Sequence, residues 1–313
     1  MYFWIAISII LYIFRHLALS ARLYNIANGQ FSFLKSVELI FIWEFSSAVS
    51  PTSFGGSAVA LYFLTQEKMK TSKTIALVLY TIVLDSFFFL IAIPIFFILL
   101  GPQILRPDLS ANWITDPNVI LLSIVYLVTL AYASFMFIGI FIQPIRISKF
   151  LTWISKVKFL KRYREKFETT GQNFIIASEE LKKQSRIFHF RNILFTSIAW
   201  GIRFGVINTL IIAFTSVNIY EFVSQFIIYG RSQSLYILTA YTPTPGSAGF
   251  SELLFNGFFK DFVPLGISLI IVIIWRLISY YSYLLAGAII VPNWINNIIK
   301  HRKIDKQNRN NLS

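Results

Sequence analysis

Six ionisable side chains sit inside or at the edge of stretches that are otherwise apolar: Glu44, Asp85, Arg203, Arg231, Arg276 and, directly after a Pro- and Gly-rich interruption, Glu252. A charge at the centre of a bilayer costs about 2.5–3.5 kcal/mol on insertion scales, so such residues face a bundle interior or a wet cavity. The arginines carry planar guanidinium forks that grip phosphate through paired hydrogen bonds. The carboxylates balance that charge, or accept a proton or an amine. Together the set predicts one central polar cavity that takes an anionic headgroup. Two plainer readings stand beside it. Asp85 pairs with an arginine only to orient helices, and Glu252 is a first-turn carboxylate favoured by the helix dipole. Arg15 is a weaker candidate, because a long cationic side chain snorkels to the surface.

The sequence offers little for other chemistry. It has no Cys, so a disulfide framework and a thiolate metal site are excluded. His16, His189 and His301 lie far apart and form no ligand motif, so metal catalysis is set aside and no cofactor is expected. There is no G-x-G-x-x-G, Walker A or H-E-x-x-H. Residues 32–35 and 155–158 fit S-x-x-K, a pattern that arises often by chance, and the companion motifs of such enzymes are missing.

The elements that must position these charges belong in a membrane. Of 313 residues, 56% are hydrophobic and 13% charged, against about 25% charged in soluble domains. The mean hydropathy is +0.65. Runs such as 75–101 and 119–143 exceed the roughly 20 residues that span a hydrocarbon core. The formal net charge of +14 would suggest nucleic acid in a soluble chain. Here it reads as Lys and Arg gathered in cytoplasmic loops beside anionic lipid, and no nucleic acid is expected. The first apolar stretch has neither a basic start nor a clear small-residue cleavage site, so no cleavable signal peptide is expected.

Apolar length and breakers predict spans at 2–21, 74–100 with a kink at Pro94, 118–142, 191–216, and 262–291 closed by Pro292. The apolar stretch 37–65 is broken at 50–56, and 222–259 is broken at 241–249. The segment 143–190 and the tail 293–313 are rich in Lys and Arg, which places both in the cytoplasm. Aromatic residues among the charges of the central segment (Trp153, Phe159, Tyr163, Phe167, Phe174) suit amphipathic helices on the inner leaflet or, equally, a solvated helical hairpin. Parity then requires each broken stretch to begin and end on one side, the first inside and the second outside. Both read as re-entrant hairpins entering from opposite faces, where irregular backbone is tolerated only if it lines a cavity or is buried in protein. Asp85 and Arg276 follow their breaks at nearly equal distances, and Arg15 and Arg203 precede them. The expected fold is an all-α transmembrane bundle of two inverted halves, 1–142 and 191–292, each with a Pro/Gly-broken hairpin, 37–65 and 222–259.

The stretch Pro51-Thr52-Ser53-Phe54-Gly55-Gly56-Ser57, the later Asp85, and Thr242-Pro243-Thr244-Pro245-Gly246-Ser247-Ala248-Gly249-Phe250-Ser251-Glu252 resemble the lysylphosphatidylglycerol synthase transmembrane-region family, also called the flippase-like domain family. Its signature is a P-x-x-x-G-G break followed by a P-x-P-G-G-x-G-x-x-E break, and the likeness covers roughly residues 2–291. The resemblance implies a bacterial or archaeal cytoplasmic-membrane protein. The best understood relatives join this domain to a soluble aminoacyl transferase, and the membrane part is thought to move the modified lipid between leaflets. By that resemblance Pro51, Gly55, Gly56, Pro243, Pro245, Gly246, Gly249 and Glu252 fall on motif positions. Ser247 stands where a second Gly is usual, which is expected to stiffen or reshape the turn. Relatives often carry another helix before the equivalent of 2–21, so the chain reads as a short form. No soluble domain of transferase size follows Val291, so aminoacyl transfer is not expected of this chain.

The leading expectation is a multi-pass lipid translocase of the bacterial inner membrane that rocks one half against the other around a fixed site. Its partners would be lipids with anionic headgroups and a separate transferase or envelope-synthesis protein. Two alternatives remain open here. One is an intramembrane enzyme on lipid-linked substrates with Glu252 or Asp85 as general base. The other is an anchor or regulatory subunit acting through the basic central segment.

Overall fold

The computed structural model describes residues 1–50, 55–105, 113–156, 162, 164–240, 242 and 244–310. The motif residues Pro51 and Pro243 lie outside the described residues. Among the described residues every regular element is a helix. In chain order these are α1 (Tyr2–Ala27), α2 (Phe33–Val49), α3 (Gly55–Gln66), α4 (Thr71–Leu100), α5 (Pro117–Phe137), α6 (Pro144–Ile154), α7 (Arg164–Lys182), α8 (Arg186–Phe214), α9 (Phe222–Ala240), α10 (Phe250–Phe259), α11 (Leu265–Arg276) and α12 (Ser282–Asn310). Long Ile-, Leu- and Phe-rich runs take this form because a helix satisfies its own backbone polar groups without water.

Five stretches among the described residues are long and apolar enough to cross a membrane: Tyr2–Ala27, Thr71–Ile104, Val119–Ile142, Arg186–Phe214 and Leu265–Lys300. They carry exposed large apolar side chains such as Ile13, Ile98, Ile124, Ile193 and Leu285, which suit a hydrocarbon surround. Their ends differ from the sequence expectation in three places. The first helix does not stop at residue 21 but runs on to Ala27, because no breaker occurs before Asn28, which closes it in the left-handed region at φ 46°. The fourth span starts five residues early, at Arg186, where the Ser185 Oγ caps the helix by accepting from the Phe188 N–H at 3.2 Å. Pro292 does not close the last span: α12 passes through it, as α4 passes through Pro94. Neighbouring groups re-satisfy the backbone that a proline frees inside a membrane bundle.

The basic central segment forms a docked helix pair. Gly171 on α7 lies so close to Ser148 on α6 that an added Cβ would collide with it. Phe174, Ala177 and Leu181 of α7 pack with Ala76, Tyr80, Val83 and Leu84 of α4. The apolar side of α7 is thus taken up by the bundle, while Phe150 and Trp153 of α6 remain exposed and stacked on each other at 6.0 Å.

Two shorter helix pairs, α2–α3 and α9–α10, flank the interruptions predicted from the sequence. Among its described residues, the interruption between α9 and α10 contains a tight turn, Pro245–Ser247, and α2 packs directly against it. One turn of helix ties the flanks together. The Arg276 Nη1–H donates to the Gly246 carbonyl at 2.7 Å, and the Tyr280 hydroxyl donates to the Ala48 carbonyl at 3.2 Å. These two residues stand four apart and so share a face, at the start of a π-turn over Leu277–Tyr281.

Candidate functional site

A cavity of about 180 Å³ lies where α1, α2, α4, α8, α9, the Pro245–Ser247 turn and the α11–α12 junction converge. Four guanidinium groups point into it, those of Arg15, Arg22, Arg203 and Arg276. Arg15 and Arg22 are seven residues apart on α1, two helical turns, and therefore lie on one face.

Three of the four are paired. Arg15 is 3% exposed. Its Nη2 donates to Glu44 Oε1 at 3.0 Å and its Nη1 to the Tyr283 hydroxyl at 3.0 Å. Arg22 meets Asp85 through Nη1–Oδ1 at 2.5 Å and Nη2–Oδ2 at 3.4 Å, and also donates to the Thr196 hydroxyl at 3.0 Å. The Trp200 indole N–H adds a 2.8 Å bond to the same Asp85 oxygen. Arg276 lies over the Tyr280 ring at 4.2 Å, with its Nε 3.0 Å from Glu252 Oε1 but not aligned for a hydrogen bond.

Arg203 differs. It is half-buried, and its guanidinium stacks over Tyr236 at 4.8 Å and Trp200 at 5.4 Å. It forms no hydrogen bond or ion pair with any described residue. The ring faces hold the cation by their quadrupoles and leave its N–H groups free. Further donors are unsatisfied around it, the Arg15 Nε and the Arg276 Nη2. Counting Glu252 with its partner, three carboxylates face four guanidiniums. The site therefore carries surplus positive charge with open N–H donors, which is the chemistry that takes an oxyanion.

Of the six residues predicted from sequence, Glu44, Asp85, Arg203 and Arg276 line this cavity, and Glu252 reaches it through Arg276. Arg231 does not. It is 1% exposed and sits elsewhere, with Nη1 on Asp261 Oδ1 at 2.6 Å and on the Phe258 carbonyl at 2.9 Å, and Nε on the Gln103 carbonyl at 2.7 Å. Those bonds use it to lock α9 against α10 and the end of α4. Arg15 and Arg22 are the additions. Arg15 does not snorkel, because Glu44 and two tyrosines hold it inside. Arg22 follows directly on the span expected at 2–21, and its seven-residue spacing from Arg15, which puts both on one helix face, is the signal that could have found it. Of the motif glycines, Gly55 is the first residue of α3, Gly56 follows it tight against Ser47, and Gly246 and Gly249 take positive φ of 57° and 85°. Pro245 opens the turn that contains Gly246. Among the described residues no group of three His, Asp or Glu converges to hold a metal ion.

A family model described as the lysylphosphatidylglycerol synthase TM region matches residues 1–287. A UPF0104 membrane protein of Archaeoglobus fulgidus is 25% identical over 276 residues, covering 85% of this chain and 78% of the relative. No solved structure matches the chain.

Proposed function

The chain belongs to the lysylphosphatidylglycerol synthase TM region family, and from that premise we propose that it is a lipid translocase, carrying the anionic headgroup of a phospholipid or lipid-linked substrate between leaflets of the cytoplasmic membrane. One observation carries the reading: among the described residues Arg203 is an unpaired guanidinium, on aromatic faces inside a cavity whose other three arginines are matched to carboxylates. A headgroup phosphate would complete it. The paired arginines then act as a frame that fixes the shape of the site, with Arg203 as its working charge.

The α2–α3 and α9–α10 pairs would be re-entrant hairpins from opposite faces, which puts the turn at Gly246 and the end of α2 near mid-depth and makes the two halves an inverted repeat. The basic α6–α7 pair and the end of α12 would lie on the cytoplasmic side. No covalent step is assigned to the chain. A separate transferase or envelope-synthesis protein would supply or consume the lipid.

The test is leaflet exchange of a fluorescent phosphatidylglycerol in vesicles containing the purified protein, read by an impermeant quencher. Arg203→Gln is expected to slow exchange about tenfold or more, the loss of a charge-assisted contact of about 1.5–3 kcal/mol, and Arg203→Lys to keep part of the rate. Equal rates for wild type and Arg203→Gln at equal incorporation would overturn the assignment. A chemically altered lipid without exchange would replace it with the enzyme reading.

A further inference from the structure

A second compartment, of about 670 Å³, lies between α4, α5, α8 and α9. Its volume falls in the range of about 300–1,000 Å³ typical of ligand pockets, and its walls are strongly apolar, with Phe87, Phe88, Ile95 and Phe137 among them. Exposed Ile91, Ile95 and Ile193 open it on the flank of the bundle. Along α4 the lining runs from Tyr80 to Phe96, a rise of about 24 Å at 1.5 Å per residue. One leaflet contributes about half of a roughly 30 Å hydrocarbon core, so a whole chain from one leaflet fits the groove.

One side chain is out of place there. Gln233 lines the groove, is 1% exposed, and neither its Nε2 nor its Oε1 has a hydrogen-bond partner among the described residues. A buried amide left unpaired is costly, and this one offers two donors and an acceptor. Its position is also informative. Ser232, its neighbour on α9, lines the arginine cavity, as Asp85 does beside the groove residue Leu84. Thr196 lines the groove while its hydroxyl accepts from Arg22. The groove and the anion site thus share walls on α4, α8 and α9.

Resting on the translocase reading above, we propose that this groove holds one acyl chain of the lipid whose headgroup enters the arginine cavity, and that the Gln233 amide donates to the ester carbonyl at the head of that chain. The substrate class is thereby narrowed to an ester-linked lipid with an anionic head.

The experiment uses the whole protein in vesicles containing phosphatidylglycerol with a photoreactive diazirine in mid-chain, and locates the adducts by mass spectrometry. Adducts are expected to be at least fivefold enriched at Ile91 and Ile193 over the outward-facing Leu269 and Leu285. Ala92→Trp, which fills the groove, should remove that enrichment. Wild type should capture the ester-linked probe several-fold better than its ether-linked analogue, and Gln233→Leu should abolish the preference. Labelling spread evenly over all four positions would overturn the groove, and so would an ester preference absent from wild type or unchanged in Gln233→Leu, as expected if only water occupies the site. Groove labelling retained in a protein that moves no lipid would uphold the chain site while sinking the translocase reading. Lipid movement without groove labelling would do the reverse.

Discussion

Ser247 occupies backbone space that favours glycine. Its φ of 57° costs an L-residue about 1–2 kcal/mol. The hydroxyl offsets part of this by donating to the Thr239 carbonyl at 2.7 Å, a bond of about 1 kcal/mol. Ser247→Gly should therefore leave stability within about 1 kcal/mol of wild type, because it relieves the strain and loses the bond together. Ser247→Ala keeps the strain and loses the bond, and should cost about 1 kcal/mol, seen as a lower melting temperature in detergent. The Arg22–Asp85 pair makes a stronger test at this scale. Asp85→Asn weakens the carboxylate that holds both Arg22 and Trp200, and about 2 kcal/mol should be lost. Replacing both partners together, as Arg22→Met with Asp85→Leu, should recover most of that loss, since a matched apolar pair strands no charge. Asp85 stood out in the sequence because it is the one charged residue in the run 75–101. The partner it chose did not, because Arg22 looks like any basic residue at a span end. Arg231 illustrates the opposite failure: it stood out equally, yet its partner Asp261 lies beyond the interruption, and only folding brings the two together.

At the scale of elements, glycine decides where backbones meet. Built at Gly246, a Cβ would run into the Tyr280 ring, and the backbone there is already at positive φ. Gly246→Ala must push away the very turn of helix through which Arg276 grips the Gly246 carbonyl. It should cost about 1–3 kcal/mol and slow lipid exchange. Gly257→Ala on α10 meets nothing within 4 Å and should leave exchange unchanged while holding or slightly raising the melting temperature, since Ala favours a helix over Gly by about 0.5–1 kcal/mol. The order and helical character of the elements were legible from apolar length alone. Helix ends were less so, because Pro292 carries the stop signal of a water-soluble helix and the bundle overrides it. The docking of α7 on α4 was not legible, since its apolar face suits a lipid surface or a protein surface equally.

For the molecule as a whole, the sequence supplies two independent arguments about orientation, and they must agree. In the proposed topology, charge bias would put the central segment and the tail on one side. Parity would put the end of α4 and the end of α8 on the other, because each helix would leave that side once. If the α2–α3 pair or the α9–α10 pair made a single crossing instead of returning to the side it entered from, parity would change and the two arguments would conflict. The chain has no native Cys, so single cysteines report position cleanly. We expect Gln103→Cys after α4 and Ser216→Cys after α8 to react with an impermeant maleimide from outside right-side-out vesicles. Gln172→Cys on α7 and Lys303→Cys on α12 should react only after permeabilisation. All four residues are exposed, so burial cannot mask the result. Labelling of all four from the reverse side would invert the orientation and keep the hairpins. Gln103 and Ser216 appearing on different sides would break the symmetry between the halves, and with it the rocking of one half against the other as a way to expose Arg203 to each leaflet in turn.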